Sequence, residues 1–298
     1  MFKNIKYQIK KILQKLPVPG FSGMSFYDLL SLYWEGIFKG FITLRAGAIA
    51  YSFFMALFPF LLFTLSLIPL VPVEGFQHDF IAFFHDILPK KSIDLMDGII
   101  QDIATKPRTG LLSIGIALSF LFMTNGINTL LTSFEESVHK IIDKRNFFKQ
   151  YLVAMALSFV LVIILFITII AIIYFEIIIV YQLQKNGIIH DYNFWVLWGK
   201  KLFYLLMILI SNSLIYYYGT RSGKKLRFIS PGSVMSTLLI IINFYLFQFY
   251  IENFNRYNKL YGSIGAFLII LLLNYYNAII LLLGHELNMA ILKFKNEG

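Results

Sequence analysis

Long apolar stretches separated by shorter polar segments dominate the chain. Six of them have the roughly 20 residues that a helix rising 1.5 Å per residue needs to cross a bilayer. They cover about 46–70, 110–131, 151–181, 194–219, 228–250 and 261–292. None shows the polar–apolar alternation of outer-membrane barrel strands. The pattern therefore predicts an all-α polytopic membrane bundle of six transmembrane helices over residues 46–292.

Two stretches exceed the length that a crossing requires. The third and the sixth have about 30 residues each, or about 45 Å of helix, against a hydrocarbon core of about 30 Å. Tilt, a kink or protrusion must absorb the excess, and all three stay open. Pro59 falls within the first stretch, where a proline removes one backbone hydrogen bond and favours a kink.

Residues 1–45 differ from the rest and predict a basic arm followed by an amphipathic helix. The first 15 residues contain five lysines and no acid, and Pro17 and Pro19 interrupt any helix. Ser25 and Asp28 have capping-box spacing. The apolar positions that follow at helical spacing are Leu29, Leu30, Tyr33, Trp34, Ile37, Phe38 and Phe41. The helix can lie in the membrane interface, pack on the end of the bundle, or do both.

The distribution of charge predicts the orientation. Six crossings put both termini on one side, and the connections on that side are rich in lysine and arginine. The positive-inside rule therefore predicts a cytoplasmic arm and a cytoplasmic tail at 293–298. The segment 71–109 on the opposite side is rich in acids. Its apolar residues predict a short helical outer loop region, which covers a cavity or rests on the membrane surface.

Composition narrows the function classes. The chain is 58% hydrophobic and 14% charged, whereas soluble proteins average about 45–50% and 25%. The absence of cysteine excludes disulfides, thiolate metal sites and cysteine nucleophiles. The basic residues behind the net charge of +10 cluster in loops predicted to be cytoplasmic, where the positive-inside rule expects them. These loops suit anionic head groups of membrane lipids, so no nucleic-acid partner is predicted. A homo-oligomer stays open.

Catalytic motifs are not evident. The phosphate-binding GxxxxGK[ST], the nucleophile elbow GxSxG and the dinucleotide fingerprint GxGxxG do not occur. His285 and Glu286 resemble the start of a zinc-binding HExxH helix, but Met289 stands where the second histidine belongs. We therefore predict no metal, no cofactor and no enzymatic activity.

Polar residues inside the apolar stretches are the main candidates for function, because a charge in hydrocarbon costs at least about 2.5–3.5 kcal/mol. They are Glu176, Glu286 and the asparagines Asn125, Asn128, Asn212, Asn243, Asn274, Asn277 and Asn288. They line a cavity or form interhelical hydrogen bonds, worth about 0.6–2 kcal/mol each. Arg45 precedes a run of small residues at 46–52. It can anchor the helix at the interface, hold a lipid phosphate, or pair with a buried acid such as Glu286.

Several motifs resemble those of the YihY/BrkB family of bacterial inner-membrane proteins, formerly labelled ribonuclease BN. The matching residues are Ala46-Gly47-Ala48-Ile49-Ala50-Tyr51, Leu57-Phe58-Pro59, Pro231-Gly232-Ser233, Phe249-Tyr250, Asn253-Phe254, Tyr257-Asn258, Tyr261-Gly262-Ser263-Ile264-Gly265-Ala266 and Leu283-Gly284-His285-Glu286-Leu287-Asn288. His285 departs from the usual alanine, and 219–225 replaces a proline-containing turn. The resemblance implies a six-span protein of the bacterial cytoplasmic membrane. The family has no agreed activity, its ribonuclease label is regarded as a misassignment, and some members are linked genetically to envelope lipid export.

These observations together predict transport or handling of a lipid or other amphiphile. The predicted binding residues are Arg45, Tyr51, Asn125, Asn128, Asn253, Tyr257, Asn258, Tyr261, Glu286 and Asn288. Four of them lie at 253–261, a polar aromatic segment that can equally be a structural hairpin. A polar cavity open to lipid would favour transport, and a filled core with flat surfaces would favour the alternative of a non-catalytic scaffold in an envelope assembly. A membrane hydrolase is the least favoured alternative.

Overall fold

Six helices in the described part of the chain are long and apolar enough to cross a membrane, so the predicted all-α bundle is confirmed. The computed structural model describes residues 25–39, 41–67, 109–137, 145–188, 191–253 and 263–297. The helices are α1 (Phe26–Lys39), α2 (Ile42–Leu67), α3 (Thr109–Glu135), α4 (Phe147–Tyr174), α5 (Tyr181–Lys185), α6 (Tyr192–Gly219), α7 (Pro231–Asn253) and α8 (Ser263–Glu297). A π-helical segment, Phe175–Val180, joins α4 to α5.

The third crossing is longer than predicted. It runs without a break over the 39 residues Phe147–Lys185, or about 58 Å of helix. The π-helical turn lies in its last third, and Phe175 at that turn packs directly against Gly199 of α6. A Cβ atom on Gly199 would overlap the Phe175 ring. The close approach therefore favours glycine at this position, because any side chain there would force the ring to move.

The six crossings contact one another in a closed order. Each of α2, α3, α4, α6, α7 and α8 packs against the next, and α8 packs back against α2. We call the near end of the bundle the end where α2, α4 and α7 begin, and the far end the one where α6 and α8 begin. This order brings the first and last crossings together although some 240 residues separate them.

The densest apolar packing lies toward the near end. Its fully buried members include Ala46, Leu130, Phe134 and Leu282, from α2, α3 and α8. Elsewhere on the bundle the helices expose large apolar side chains such as Ile170. Exposed apolar surface on a helical bundle of this length is typical of contact with lipid chains rather than water.

Helix α1 begins with the capping box that the sequence indicates. The Asp28 amide donates to the Ser25 hydroxyl at 3.2 Å, and the Ser25 amide lies 3.4 Å from the Asp28 carboxylate. The helix packs against α8, with Ile37 against the core. Trp34 and Phe38 on α1 are exposed. The placement of α1 in a membrane interface stays a prediction.

Some sequence-based predictions fall outside the described residues. These are the basic arm before Ser25, most of the predicted outer helical loop at 71–109, and the polar aromatic segment 254–262.

Candidate functional site

A buried salt bridge joins the first and the last crossing at the near end. Arg45, in the first turn of α2, donates from Nη2 to Glu286 Oε1 of α8 at 2.9 Å. The two side chains are 4% and 0% exposed. Helix α2 starts at Ile42, four residues before the predicted span, so Arg45 lies within its first turn. Of the three roles that the sequence left open for Arg45, the structure shows the pairing with a buried acid.

Residues at the end of α3 complete this salt bridge. The Ser137 hydroxyl donates to Glu286 Oε2 at 2.7 Å, and Arg45 Nη1 donates to the Ser133 carbonyl at 2.7 Å. Arg45 Nε is buried and has no hydrogen-bond partner among the described residues. Charged groups without water are stable only when paired and hydrogen bonded. The site therefore depends on α2, α3 and α8 holding their positions together.

Helix α1 adds Tyr33 beside this site. Burial, together with the negative charge of Glu286, raises the pKa of Tyr33 to about 12. The phenol therefore stays neutral at physiological pH. Tyr33 of α1 therefore adds no charge next to the salt bridge.

His285, the residue that departs from the family pattern, packs into the same layer. Its ring stacks on Phe134 with centroids 4.2 Å apart, and its Nε2 lies 3.1 Å from the Phe134 carbonyl. The Tyr216 hydroxyl of α6 lies 2.7 Å from Ser236 Oγ of α7 and donates to the Leu281 carbonyl at 2.9 Å. Phe134 and Tyr216 belong to the layer but carry no motif that would single them out in the sequence. The described residues include no cluster of histidine and acidic side chains that could hold a metal ion.

Asn288, a predicted binding residue, meets the start of α7. Its Oδ1 accepts from the Gly232 amide at 2.9 Å, and its Nδ2 donates to Ser230 Oγ at 2.9 Å. Ser230 also accepts from the Ser233 amide, so the Ser-Pro-Gly-Ser sequence forms a capped helix start with proline at its first position. Gly232 and Gly284 allow the two backbones to approach. This geometry holds the helices in register.

The two asparagines of α3 face α4 instead of the salt bridge. Asn125 Oδ1 accepts from the Tyr151 hydroxyl at 3.3 Å, and Asn128 lies beside Gln150. The Gln150 side-chain nitrogen donates to both Glu135 oxygens at 3.2 Å, and its oxygen accepts from the Thr132 hydroxyl at 2.7 Å. The predicted site thus separates into two polar groups on different helix pairs.

Arg145 links this second group to α6. Its backbone amide donates to Glu135 at 3.1 Å, and its guanidinium donates to the carbonyls of Gly219 at 2.7 Å and Tyr218 at 3.0 Å. A cation at these free carbonyls satisfies the end of α6 and its dipole. Burial lowers the pKa of Arg145, and Glu135 acts in the opposite direction.

Other intramembrane polar residues pair between helices. Asn212 donates to Thr237 at 3.1 Å, and Asn243 donates to Asn277 at 2.9 Å. Glu176 lies 2.7 Å from Lys200, with both side chains about one-third exposed. For these residues the geometry matches interhelical hydrogen bonding and ion pairing rather than a shared cavity.

An apolar groove runs between α2 and α8, and neither Arg45 nor Glu286 is among its lining residues. It has a volume of about 420 Å³. Gly47, Ala50 and Tyr51 line its α2 side, while Leu272 and Tyr275 are among the residues that line its α8 side. Tyr51, another predicted binding residue, therefore lies on an apolar groove whose lining on α2 begins at Gly47, two residues beyond Arg45 in the chain.

The remaining predicted binding residues are not described in full. Asn253 is the last residue of α7, but its side chain lies outside the described part of the structure, as do Tyr257, Asn258 and Tyr261. Their role stays a prediction.

Comparison with known proteins gives a family match across most of the chain. The profile of the family described as virulence factor BrkB matches residues 35–297. The chain is 26% identical over 261 residues to the putative ribonuclease-like protein YfkH of Bacillus subtilis (strain 168), covering 84% of this chain and 90% of that protein. It is 33% identical over 82 residues to a UPF0761 membrane protein of Xanthomonas campestris pv. campestris (strain 8004), covering 28% of this chain and 19% of that relative. No solved structure matches.

Proposed function

The chain belongs to the virulence factor BrkB family, and from that premise we propose that it binds and moves a lipid or another amphiphile within its six-helix bundle. We propose a non-catalytic role in a bacterial cytoplasmic (inner) membrane, with both termini on the cytoplasmic side. The near end of the bundle would then face the cytoplasm.

The observation that supports this proposal is the apolar α2–α8 groove, whose lining on α2 begins two residues beyond Arg45. Gly47 lies two residues beyond Arg45, and Tyr51 lies six residues beyond it, or about 9 Å along the helix. An amphiphile requires apolar surface for its chain and a charged or polar contact for its head group. The groove supplies the apolar surface, and the buried salt bridge at the start of α2 supplies charged groups that do not themselves line it.

Arg45 has the chemistry for the head group. A guanidinium presents several donors in a planar fork, which suits a phosphate or carboxylate. In this structure Arg45 Nη1 and Nη2 donate to the Ser133 carbonyl and to Glu286, while Arg45 Nε has no partner among the described residues. We propose that Glu286 holds Arg45 when the groove is empty and that an anionic head group shares Arg45 when it is filled.

Transport of tail-labelled phospholipids by the full-length protein in proteoliposomes tests the proposal. Glu286→Gln should lower the rate about tenfold, equivalent to about 1.4 kcal/mol, because it removes the charge that positions Arg45. Glu176→Gln is the matched control, since Glu176 forms a pair with Lys200, about one-third exposed, and neither residue lines the groove. It should keep the rate within about twofold.

A second variant separates function from folding. Tyr51 is 59% exposed, so Tyr51→Ala leaves the core intact but changes the groove, and it should also slow transport. Wild-type protein that moves no lipid from a panel of anionic and zwitterionic phospholipids would contradict the proposal. Equal rates for Glu286→Gln and Glu176→Gln would refute the role of the salt bridge.

The alternative of a non-catalytic scaffold has one observation in its favour. The near-end layer around Phe134, His285 and Tyr216 is buried and hydrogen bonded between helices. A static support needs such packing and no groove. Unchanged assembly of a co-purifying partner after Tyr51→Ala, together with no lipid transport, would favour this alternative.

A further inference from the structure

A second, larger groove lies between α6 and α7, away from the salt bridge. Its volume is about 770 Å³, within the roughly 300–1,000 Å³ of small-molecule sites. Leu205 and Ile208 are among the residues that line it from α6, and Ile241 and Phe244 are among those from α7. Lys201 is the charged side chain among its lining residues. None of these residues belongs to the site proposed above.

The groove has a definite depth relative to the membrane. Arg145 binds the last carbonyls of α6 at Gly219, which places a charged group at the near boundary. Lys201 precedes Gly219 by 18 residues, or about 27 Å of helix. A hydrocarbon core is about 30 Å thick. Lys201 therefore lies at the far boundary when Gly219 lies at the near one.

Other side chains at this level agree with an interface. Trp195 and Trp198 on α6 are half exposed, as expected for an aromatic belt. The Lys200–Glu176 pair lies one residue away along α6. From Lys201 the groove continues seven residues to Ile208, about 10 Å toward the middle of the membrane. This depth matches the course of an acyl chain in one leaflet.

The charge of Lys201 is not neutralised within the described part of the chain. Its neighbour Lys200 forms a 2.7 Å salt bridge with Glu176. The Lys201 ammonium instead lies 4.7 Å from the centre of the Trp198 ring, which leaves its donors available to an anion. A cation at the interfacial end of an apolar groove is complementary to an anionic lipid whose tail points toward the midplane.

We propose that the α6–α7 groove is a binding site for one anionic phospholipid of the leaflet at the far end of the bundle. Its phosphate contacts Lys201 at the interface. One acyl chain lies along Leu205, Ile208 and Phe244. The site does not require that the protein transport lipid, so it stands or falls independently of the proposed function.

The test counts lipids retained by the full-length protein. Protein in phosphatidylcholine nanodiscs containing a minority of phosphatidylglycerol with the same acyl chains is released and examined by native mass spectrometry. Wild-type protein should retain one phosphatidylglycerol in preference to phosphatidylcholine. Lys201→Gln should weaken that preference about fivefold, the effect of one lysine near an anionic lipid surface. Lys200→Gln, the matched control one residue away, should change it less than about twofold.

A second pair of variants tests the acyl-chain part of the site. Leu205→Trp fills the groove and should abolish retention of the lipid. Leu206→Trp changes the adjacent leucine, which is 40% exposed and does not line the groove, and should have no effect. Equal effects of the two lysine variants, or of the two tryptophan variants, would overturn the proposal. So would equal retention of the two lipids by the wild type. Retention without transport would refute only the proposed function.

Discussion

Removing one member of the Arg45–Glu286 salt bridge should destabilise the protein more than removing both. At 2.9 Å and an effective dielectric constant of about 20, the Coulomb attraction is about 6 kcal/mol. Truncation of one partner leaves a buried charge, and such losses typically cost about 3–5 kcal/mol. Arg45→Met leaves the Glu286 carboxylate, among the described residues, with the hydrogen bond from the Ser137 hydroxyl and no cation. The double variant Arg45→Met with Glu286→Leu removes both charges and should recover most of the loss.

The assay is reversible unfolding in mixed micelles for the wild type, the two single variants and the double variant. The double-mutant cycle should give a coupling free energy of several kcal/mol. Asn243→Leu with Asn277→Leu serves as a reference pair, because its members share a neutral hydrogen bond of 2.9 Å. That pair should show a coupling below about 2 kcal/mol. Additive effects of the Arg45 and Glu286 substitutions, within about 0.5 kcal/mol, would refute the reasoning.

Two further predictions concern the near end. Gly232→Ala places a Cβ atom 2.6 Å from the Asn288 amide and should lower the free energy of unfolding by about 1–3 kcal/mol in the same assay. Gly47→Ala is the control, because a Cβ atom there meets open space, and it should not destabilise the protein. A larger destabilisation by Gly47→Ala than by Gly232→Ala would contradict the close α7–α8 approach. The difference in tyrosinate absorbance between wild type and Tyr33→Phe should show one phenol ionising at about pH 12 rather than 10. Because the folded-state pKa is raised, the stability that Tyr33 contributes is complete below about pH 10 and declines toward 12; titration near 10 would refute its burial.

The closed order of helices explains how residues distant in sequence form one layer. Arg45 belongs to the first crossing and Glu286 to the last, while Ser137 follows the second crossing. Contact between α8 and α2 closes the order and brings all three together. The two grooves lie on separate helix pairs, α2–α8 and α6–α7. The two proposed lipid sites therefore lie on separate helix pairs and can be tested independently.

The sequence identified individual polar residues more reliably than their partners. Glu286 and Arg45 were candidates because charges are costly in hydrocarbon, and they pair. Asn125 and Asn128 were candidates as polar residues within an apolar stretch, yet they face α4. Asparagine is compatible both with a cavity and with interhelical hydrogen bonds. Only the position of the neighbouring helix shows whether an asparagine lines a cavity or forms an interhelical hydrogen bond.

Local physics determined what the sequence by itself could predict: six crossings, an all-α fold and the capping box at Ser25. Each depends on residues close together in the chain and on the fixed thickness of a bilayer. The tertiary structure decided which helices touch, that Arg45 meets Glu286, and that grooves lie beside Tyr51 and Lys201. These contacts join residues tens to hundreds of positions apart. They depend on how apolar helix surfaces pack, because lipid-facing and helix-facing apolar residues look alike in a sequence this hydrophobic.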